Sequence, residues 1–581
     1  MEKALKYIHH SSPFEPLYLF LMSSPGSTYR LLFPSFLIGW TLLNLFQAAW
    51  VELAHDEAYY WTWSLFPAWG YIEHPPMVAL WIKAGTSIFH GELGVRFLTV
   101  IASTLVIWLW ARMLSFKDPL LLIALISSNI LLNAGGFVTA PDSPLGLAVT
   151  CYYMALRKYM EAPTPKAVLF MVLSITFVMY SKYHGAIVIL LTVMANPSWL
   201  MRRSFWLMTL ASVVLYLPHL WWLNSRGADG IGFALNGRFE GTPNIMNVLD
   251  YLSGQAIVMG PLSGLLIWYA ALRHRRDNPY ERTLKFILAG IFLFFLGWSI
   301  QGKMEANWTA SALFPLIYLA HGFLSERQDL RKVFLWIAGP VTACLLTVRL
   351  MMFFPDASFG PMNEKLSEFH GWKTFAGKIM DRAGGRPVVA GGYQLASKLW
   401  YYGGEQVMPL NISRRPNQFD LTNGYDELEG RSVLLVDQYL LGGDTMVSPT
   451  GIPLRVQDLH AFHDWRAVKI SAVKIASTFH KDRYAGATLS IVIPPGKVIM
   501  PPGPEDHPIF ISADFRDIEH NELITWDASV FDVDRPWQDT VVHRVRIPTP
   551  EKRGVYMLSF HLSELQETRW ASSPSYEVLV K

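Results

Sequence analysis

His55-Asp56-Glu57-Ala58-Tyr59-Tyr60-Trp61, and then Tyr71-Ile72-Glu73-His74-Pro75-Pro76-Met77, follow directly on the first long apolar run of the chain. Acids, histidines and aromatic residues therefore crowd the point where a membrane span ends. Carboxylates at a membrane edge are costly to place and usually serve a function. What this stretch does depends on the side of the membrane it faces and on what shares that side.

Composition sets the class. Of 581 residues, 51% are hydrophobic and 16% charged, whereas about a quarter of a soluble protein is charged. The 22 tryptophans fit the aromatic belts of a polytopic membrane protein. A net charge of +3 gives no footprint for nucleic acid, and none is expected as a partner. Cys151 and Cys344 lie in or beside apolar runs and cannot form a disulfide framework. The N-terminal segment is broken by Phe14-Glu15-Pro16 and Ser23-Ser24-Pro25-Gly26 and does not read as a signal peptide.

Apolar segments near 31–50, 93–113, 119–134, 144–157, 167–181, 185–199, 204–223, 249–272, 284–301, 308–323 and 333–354 give about eleven spans. The shorter run 77–91 reads as an interfacial helix. Every second loop is basic: Arg112 and Lys117; Arg157, Lys158 and Lys166; Arg202 and Arg203; Arg273, Arg275, Arg276 and Arg282; Arg327, Arg331 and Lys332. By the positive-inside rule these loops and the N-terminus are cytoplasmic. The alternate loops hold Asp56, Glu57, Glu73 and His74; Asp142; Lys182 and His184; Arg226 to Glu240; and Lys303, Glu305 and Asn307. The chemically interesting residues thus share the external face, and the tail from 355 onward joins them.

The tail changes character. Arg386-Pro387-Val388-Val389-Ala390 and Val433-Leu434-Leu435-Val436 read as short buried strands, and Tyr393 to Tyr402 has helical spacing. From about 470, alternating segments such as Val541–Pro548 and Tyr576–Val580 predict a β-sandwich. The expected architecture is a polytopic α-helical membrane domain over 1–354, an external α/β domain over 355–469 and an external β-sandwich over 470–581.

Several site residues admit two readings. Asp142, in Pro141-Asp142-Ser143-Pro144, fits a helix N-cap as well as a site acid. Glu57 fits a solvated loop acid. Asp56, between His55 and Tyr59-Tyr60-Trp61, has little structural use and is the candidate catalytic base. Lys182 and Lys303 fit snorkelling at span ends; external lysines are also the less expected ones, and lysine serves phosphate as a point charge. Glu73 and His74 are suitable donors for a divalent metal, with His184 and His219 as further donors. A bowl of carboxylates, lysines, a histidine and tyrosines suits a phosphate-bearing ligand whose tail stays in lipid.

Here the motifs meet a known pattern. Asp56-Glu57-Ala58-Tyr59-Tyr60-Trp61, Tyr71-x-Glu73-His74-Pro75-Pro76-Met77, Ala140-Pro141-Asp142-Ser143-Pro144-Leu145, Ser181-Lys182-Tyr183-x-Gly185 and Lys303-x-x-x-Asn307-Trp308 resemble the bacterial branch of the protein-mannosyltransferase superfamily, which includes the lipid A aminoarabinose transferases. Gly391 to Ser397 and Arg415 to Phe419 resemble segments of that family's soluble tail. The resemblance implies the GT-C fold. It implies inverting transfer of a sugar from a polyprenyl-phosphate donor to an envelope acceptor (lipid A, glycan or protein) at the periplasmic face of a bacterial inner membrane. It puts the essential aspartate on Asp56, the second on Asp142, and phosphate-binding cations on Lys182 and His74. His74 and Tyr59 stand where the aminoarabinose transferases carry lysine and arginine, which points away from an aminoarabinose donor. Glu57, Tyr59, Tyr60, Glu73, Tyr183, Lys303 and Asn307 complete the expected donor site. A lipid or glycan flippase is the alternative; it predicts charges in mid-span and paired half-helices.

Overall fold

The computed structural model describes residues 27–225, 244–275, 277–354, 359–360, 362–410, 417–440, 442–464, 468–481, 483–495, 509–518, 523–531, 539–563 and 571–581. Arg226, Asp229, Arg238, Glu240, Arg276, Arg415 and Pro416 lie outside these residues. The chain divides into two compact units, Met1–Gly360 and Pro361–Lys581.

The first unit is helical. Its elements are α1 (Ser27–Trp50), α2 (His55–Leu65), α3 (Met77–Thr86), α4 (Gly91–Met113), α5 (Pro119–Ser127), α6 (Ile130–Ala134), α7 (Asp142–Glu161), α8 (Pro165–Ser181), α9 (Gly185–Ala195), α10 (Arg203–Ser225), α11 (Ile245–Val258), α12 (Ser263–Arg273), α13 (Pro279–Ser299), α14 (Leu313–Glu326) and α15 (Gln328–Met351). Three helices begin alike, with a capping side chain followed by proline. Asp118, Thr164 and Asn278 accept the N–H of Leu121, Ala167 and Glu281, each just ahead of Pro119, Pro165 and Pro279. Proline there loses nothing, because its missing N–H is one that a first turn cannot use.

Each apolar segment expected from the sequence falls on helix, but several are broken. Among the described residues α1, α4, α10, α13 and α15 are long and apolar enough to cross a membrane alone. The pair α11–α12 passes the same test together, bent by 94°. That bend is built by Gly260 at φ 129° and Leu262 at φ 66°, around Pro261, which has no N–H to continue a helix. The α5–α6 segment breaks where Asn129 turns its side chain onto Leu132 N–H. The two breaks meet: a Cβ on Gly260 would stand 2.5 Å from the Ser128 carbonyl oxygen. Helix α7 is tied into the centre. Tyr153 donates to Ser311 O at 2.9 Å, Tyr280 donates to Tyr153 O at 3.2 Å, and Trp110 Nε1 donates to Thr150 Oγ1 at 3.0 Å.

The second unit is mainly β. Strands β1 (Val388–Ala390), β2 (Val407–Pro409), β3 (Val433–Asp437), β4 (Asp444–Val447) and β5 (Pro453–Leu459) form a sheet in the order β2-β1-β3-β5-β4. β1 is parallel to β2 and β3, and β5 is antiparallel to β3 and β4. A helix over Gly392–Gly403 makes the β1–β2 crossover, as the spacing of Tyr393 to Tyr402 predicts. Further along lie β6 (Lys469–Lys474), β7 (Thr478–Phe479), β8 (Tyr484–Val492), β9 (Ile509–Asp517), β10 (Leu523–Phe531), β11 (Val541–Pro548), β12 (Gly554–Ser563), β13 (Ala571–Ser572) and β14 (Tyr576–Val580). They form a sheet in the order β10-β9-β12-β14-β7, with β13 on β12, and a sheet in the order β11-β8-β6. Alternate residues are buried, among them Ala487, Leu489 and Ile491 on β8 and Tyr556, Leu558 and Phe560 on β12.

Candidate functional site

Helix α2 carries the acid-rich motif, and its two acids part company. Asp56 is exposed. Glu57 is fully buried, which corrects its reading as a solvated loop acid. Its Oε1 accepts Arg96 Nε at 2.8 Å and Thr139 N–H at 2.8 Å. Its Oε2 accepts Arg96 Nη2 at 2.5 Å and Ala54 N–H at 2.8 Å. Arg96 also donates to Val51 O and Glu52 O. Every oxygen of this carboxylate is engaged by the protein, so Glu57 positions rather than binds. It ties the start of α2 to the loop three residues before Asp142. That bond joins the wall bearing Asp56 to the wall bearing Asp142.

Asp142 stands at the first position of α7. Its side chain makes no capping bond; the N-cap residue is Pro141. The cap reading is therefore replaced by a different role. Lys182 Nζ, from the α8–α9 connection, donates to Asp142 Oδ1 at 2.9 Å and Oδ2 at 2.8 Å. Asn307 Nδ2, from the short 3₁₀ helix Ala306–Ala312, donates to Oδ2 at 2.7 Å. The Lys182 side chain is 5% exposed and that of Asp142 is 18% exposed. Buried, and donating to both carboxylate oxygens of Asp142, Lys182 is not a snorkelling lysine.

Asp142 and Asn307 line a cavity of about 250 Å³ whose other walls include Trp40, Trp110, Leu131 and Phe314. A hydrogen-bonded carboxylate and amide thus share one space with a largely apolar lining.

The stretch 66–76 folds over itself. Tyr71 is fully buried and stacks on Trp63 with ring centroids 4.8 Å apart. Its hydroxyl donates toward Trp63 O and Phe66 O, and burial pushes its pKa up to about 12, so it remains a donor. Tyr59 and Tyr60 are buried, each edge-on to Trp63. Glu73 and His74 are half-buried, and the His74 ring faces Tyr60 edge-on. Tyr183 lies with its hydroxyl 3.1 Å from His219 Nε2, while His219 Nδ1 is 2.7 Å from Trp69 O. Burial raises the Tyr183 hydroxyl above its ordinary range, so it stays protonated. Lys303 is exposed and takes no part in the Asp142 hydrogen bonds.

Among the described residues no three of His, Cys, Asp and Glu come together as metal ligands. His184 packs against Trp308 and Phe295, and both ring nitrogens of His219 face other partners. Arg96 and Thr139 are the residues that motif reading missed. The signal for Arg96 was available, since a lone arginine inside an apolar segment carries a function by default.

Residues 73–222 match the family model of dolichyl-phosphate-mannose-protein mannosyltransferases. The chain is similar in structure to ArnT from Cupriavidus metallidurans in the apo state, with a TM-score of 0.52 and 13% identity over 75% of this chain and 98% of that one. It is equally similar to the same protein bound to undecaprenyl phosphate, at a TM-score of 0.52 and 13% identity over 74% of this chain and 98% of that one. No curated protein sequence matches the chain. The family match covers residues 73–222, and the likeness to ArnT shows a shared fold. The fold is ArnT-like, with a β-rich C-terminal region.

Proposed function

We propose that the protein is an inverting glycosyltransferase that moves a sugar from a polyprenyl-phosphate donor to a lipid, glycan or protein acceptor of the cell envelope. One observation supports this: Asp142 and Asn307, hydrogen-bonded together and to Lys182, line a largely apolar cavity. A ligand with a charged head and a long hydrocarbon tail fits such a space. The undecaprenyl phosphate bound by ArnT supports the same donor class.

In this reading the acceptor hydroxyl attacks the anomeric carbon as the bond from that carbon to the phosphate oxygen breaks. Asp56 takes the hydroxyl proton, an effect worth about 100- to 10,000-fold in rate. The lipid phosphate leaves with developing charge, which Lys182 and His74 stabilise more in the transition state than in the ground state. Asp142 and Asn307 hold Lys182 in place. Tyr59, Tyr60, Tyr183 and Lys303 contribute to the walls of the donor site. The alternating loop charges support an external, periplasmic site in a bacterial inner membrane.

Transfer of labelled sugar from a polyprenyl-phosphate donor by the purified protein tests this. Asp56→Asn should abolish transfer; lipid movement that survives the substitution, with no transfer by either form, would establish a flippase. Loss of activity on chelation, restored by one divalent ion, would move Glu73 and His74 into a metal site.

A further inference from the structure

We propose that a second cavity, at the end of the bundle opposite the Asp142–Lys182 site, binds the headgroup of an anionic phospholipid and seats the first part of its acyl chains. The proposal stands apart from the glycosyltransferase reading. Helix α9 begins at Gly185 beside Lys182 and ends at Ala195, and α13 begins at Pro279 and ends at Ser299, ahead of Asn307. The cavity lies between the ends of α9 and α13 remote from that site and the last turn of α12. It measures about 710 Å³, inside the range of about 300–1,000 Å³ that ligand pockets occupy.

Its walls are graded from charge to hydrocarbon. Arg282, Lys285, Phe286 and Ala289 line it from α13; they are spaced as one face of a helix, and Arg282 to Ala289 spans about 10 Å of its axis. The Lys285 ammonium turns back to the end of α12, donating to Leu272 O at 2.5 Å and His274 O at 3.0 Å, so its charge sits level with the loop. Arg282 is exposed and enters no ion pair among the described residues. No acid among the described residues lines the cavity. Glu281, the neighbour of Arg282, accepts the Asp277 N–H and faces His274. Farther into the bilayer come Phe286, Ala289 and, from α9, Met194. Asn196 Nδ2 ties the two walls by donating to Thr283 Oγ1 at 3.0 Å.

That gradient identifies the occupant. Two cations with no carboxylate among the lining residues call for an anion, and both arginine and lysine serve phosphate. Met194, Leu272 and Phe286 line the cavity yet are 55%, 55% and 41% exposed, so beside its cations the cavity opens onto lipid. A soluble anion would leave that apolar wall uncovered. A phosphodiester at the helix ends, with acyl chains running inward over Phe286 and Ala289, covers both parts. The basic loops at this end read as cytoplasmic by the positive-inside rule, and basic pockets between helices on that side bind anionic lipid headgroups.

The test uses the full chain, delipidated in detergent and titrated with phosphatidylglycerol or phosphatidylcholine, with bound lipid counted by native mass spectrometry. Phosphatidylglycerol should be retained and phosphatidylcholine should not. Arg282→Gln should weaken retention about tenfold, the equivalent of one charge-assisted hydrogen bond, and Arg282→Lys should recover most of it. Arg203 is exposed at the same end of the bundle but outside the cavity, so Arg203→Gln should change nothing. An equal loss there would mean attraction to basic loops in general and overturns the proposal. Equal retention of phosphatidylcholine overturns it too. So does displacement of the lipid by millimolar inorganic phosphate, which would assign the cavity to a soluble anion. Should Arg282→Gln not fold, Ala289→Trp, which fills the apolar part of the space, decides instead: retention should fall, and undiminished retention overturns the proposal.

Discussion

At the scale of the residue, neighbours in sequence carry opposite burdens. Asp56 is exposed at the start of α2, while Glu57 beside it is sealed against Arg96. Glu57→Ala leaves a buried guanidinium without its counter-charge and should cost about 3–5 kcal/mol, measured as lost stability in detergent. Asp56→Asn should leave stability unchanged while removing transfer. The Asp142–Lys182 pair yields a sharper comparison. Lys182→Met alone strands a largely buried carboxylate and should lower Tm. Adding Asp142→Asn should restore Tm but not donor binding, because the proposed function assigns Lys182 to the donor phosphate as well as to the fold. Recovery of both in the double variant would reduce the pair to a structural bond. Sequence reading singled out Asp142, Lys182 and Asn307 separately, from their motifs at span ends. It could not pair them, since spacings of 40 and 165 residues lie beyond any helical or strand periodicity. Glu57 was misjudged for the same reason: its partner lies 39 residues away.

At the scale of the element, the apolar segments were legible as helix and their interruptions were not. Apolar run length located the helices, but a 94° bend at Gly260-Pro261-Leu262 depends on packing against Ser128, which no local pattern reports. Gly70 is a second contact of that kind. A Cβ there would stand 2.4 Å from the Trp222 ring and 2.8 Å from His219 Nδ1. Gly70→Ala should therefore break the His219–Trp69 bond and weaken donor binding, seen as a raised KM. Helix starts respond to pH. Burial pushes the Asp118 carboxyl up, but the Arg331 guanidinium and the Leu121 N–H outweigh it and leave its pKa below the ordinary value, about 3.9. A depressed carboxyl stabilises the fold above its unfolded pKa and loses that contribution as pH falls through its folded value. Thermal unfolding scans from pH 6 to pH 3 should show the wild type and Asp118→Asn converging at the acid end.

At the scale of the whole molecule, the alternation of loop charge is the boldest statement in the sequence, and it can be tested directly. In a background lacking Cys151 and Cys344, Lys303→Cys should react with a membrane-impermeant maleimide from outside intact cells. Arg202→Cys should react only after lysis. Labelling of both from one side would dismantle the topology. The second unit was read correctly where strands alternate, because one buried face imposes a period of two. One feature of the first unit reaches further. The guanidinium groups of Arg96 and Arg349 both lie over the Phe137 ring, at 5.5 and 5.4 Å, and Arg349 also donates to Asn44, Gln47 and Asn133. Phe137 sits in the loop that presents Asp142, while Arg349 belongs to α15, the last helix of its unit. During synthesis the loop must wait for some two hundred further residues to leave the ribosome before its final clasp arrives. The nascent chain holds Asp56 and Asp142 early, and can hold them still only once it is nearly through the membrane.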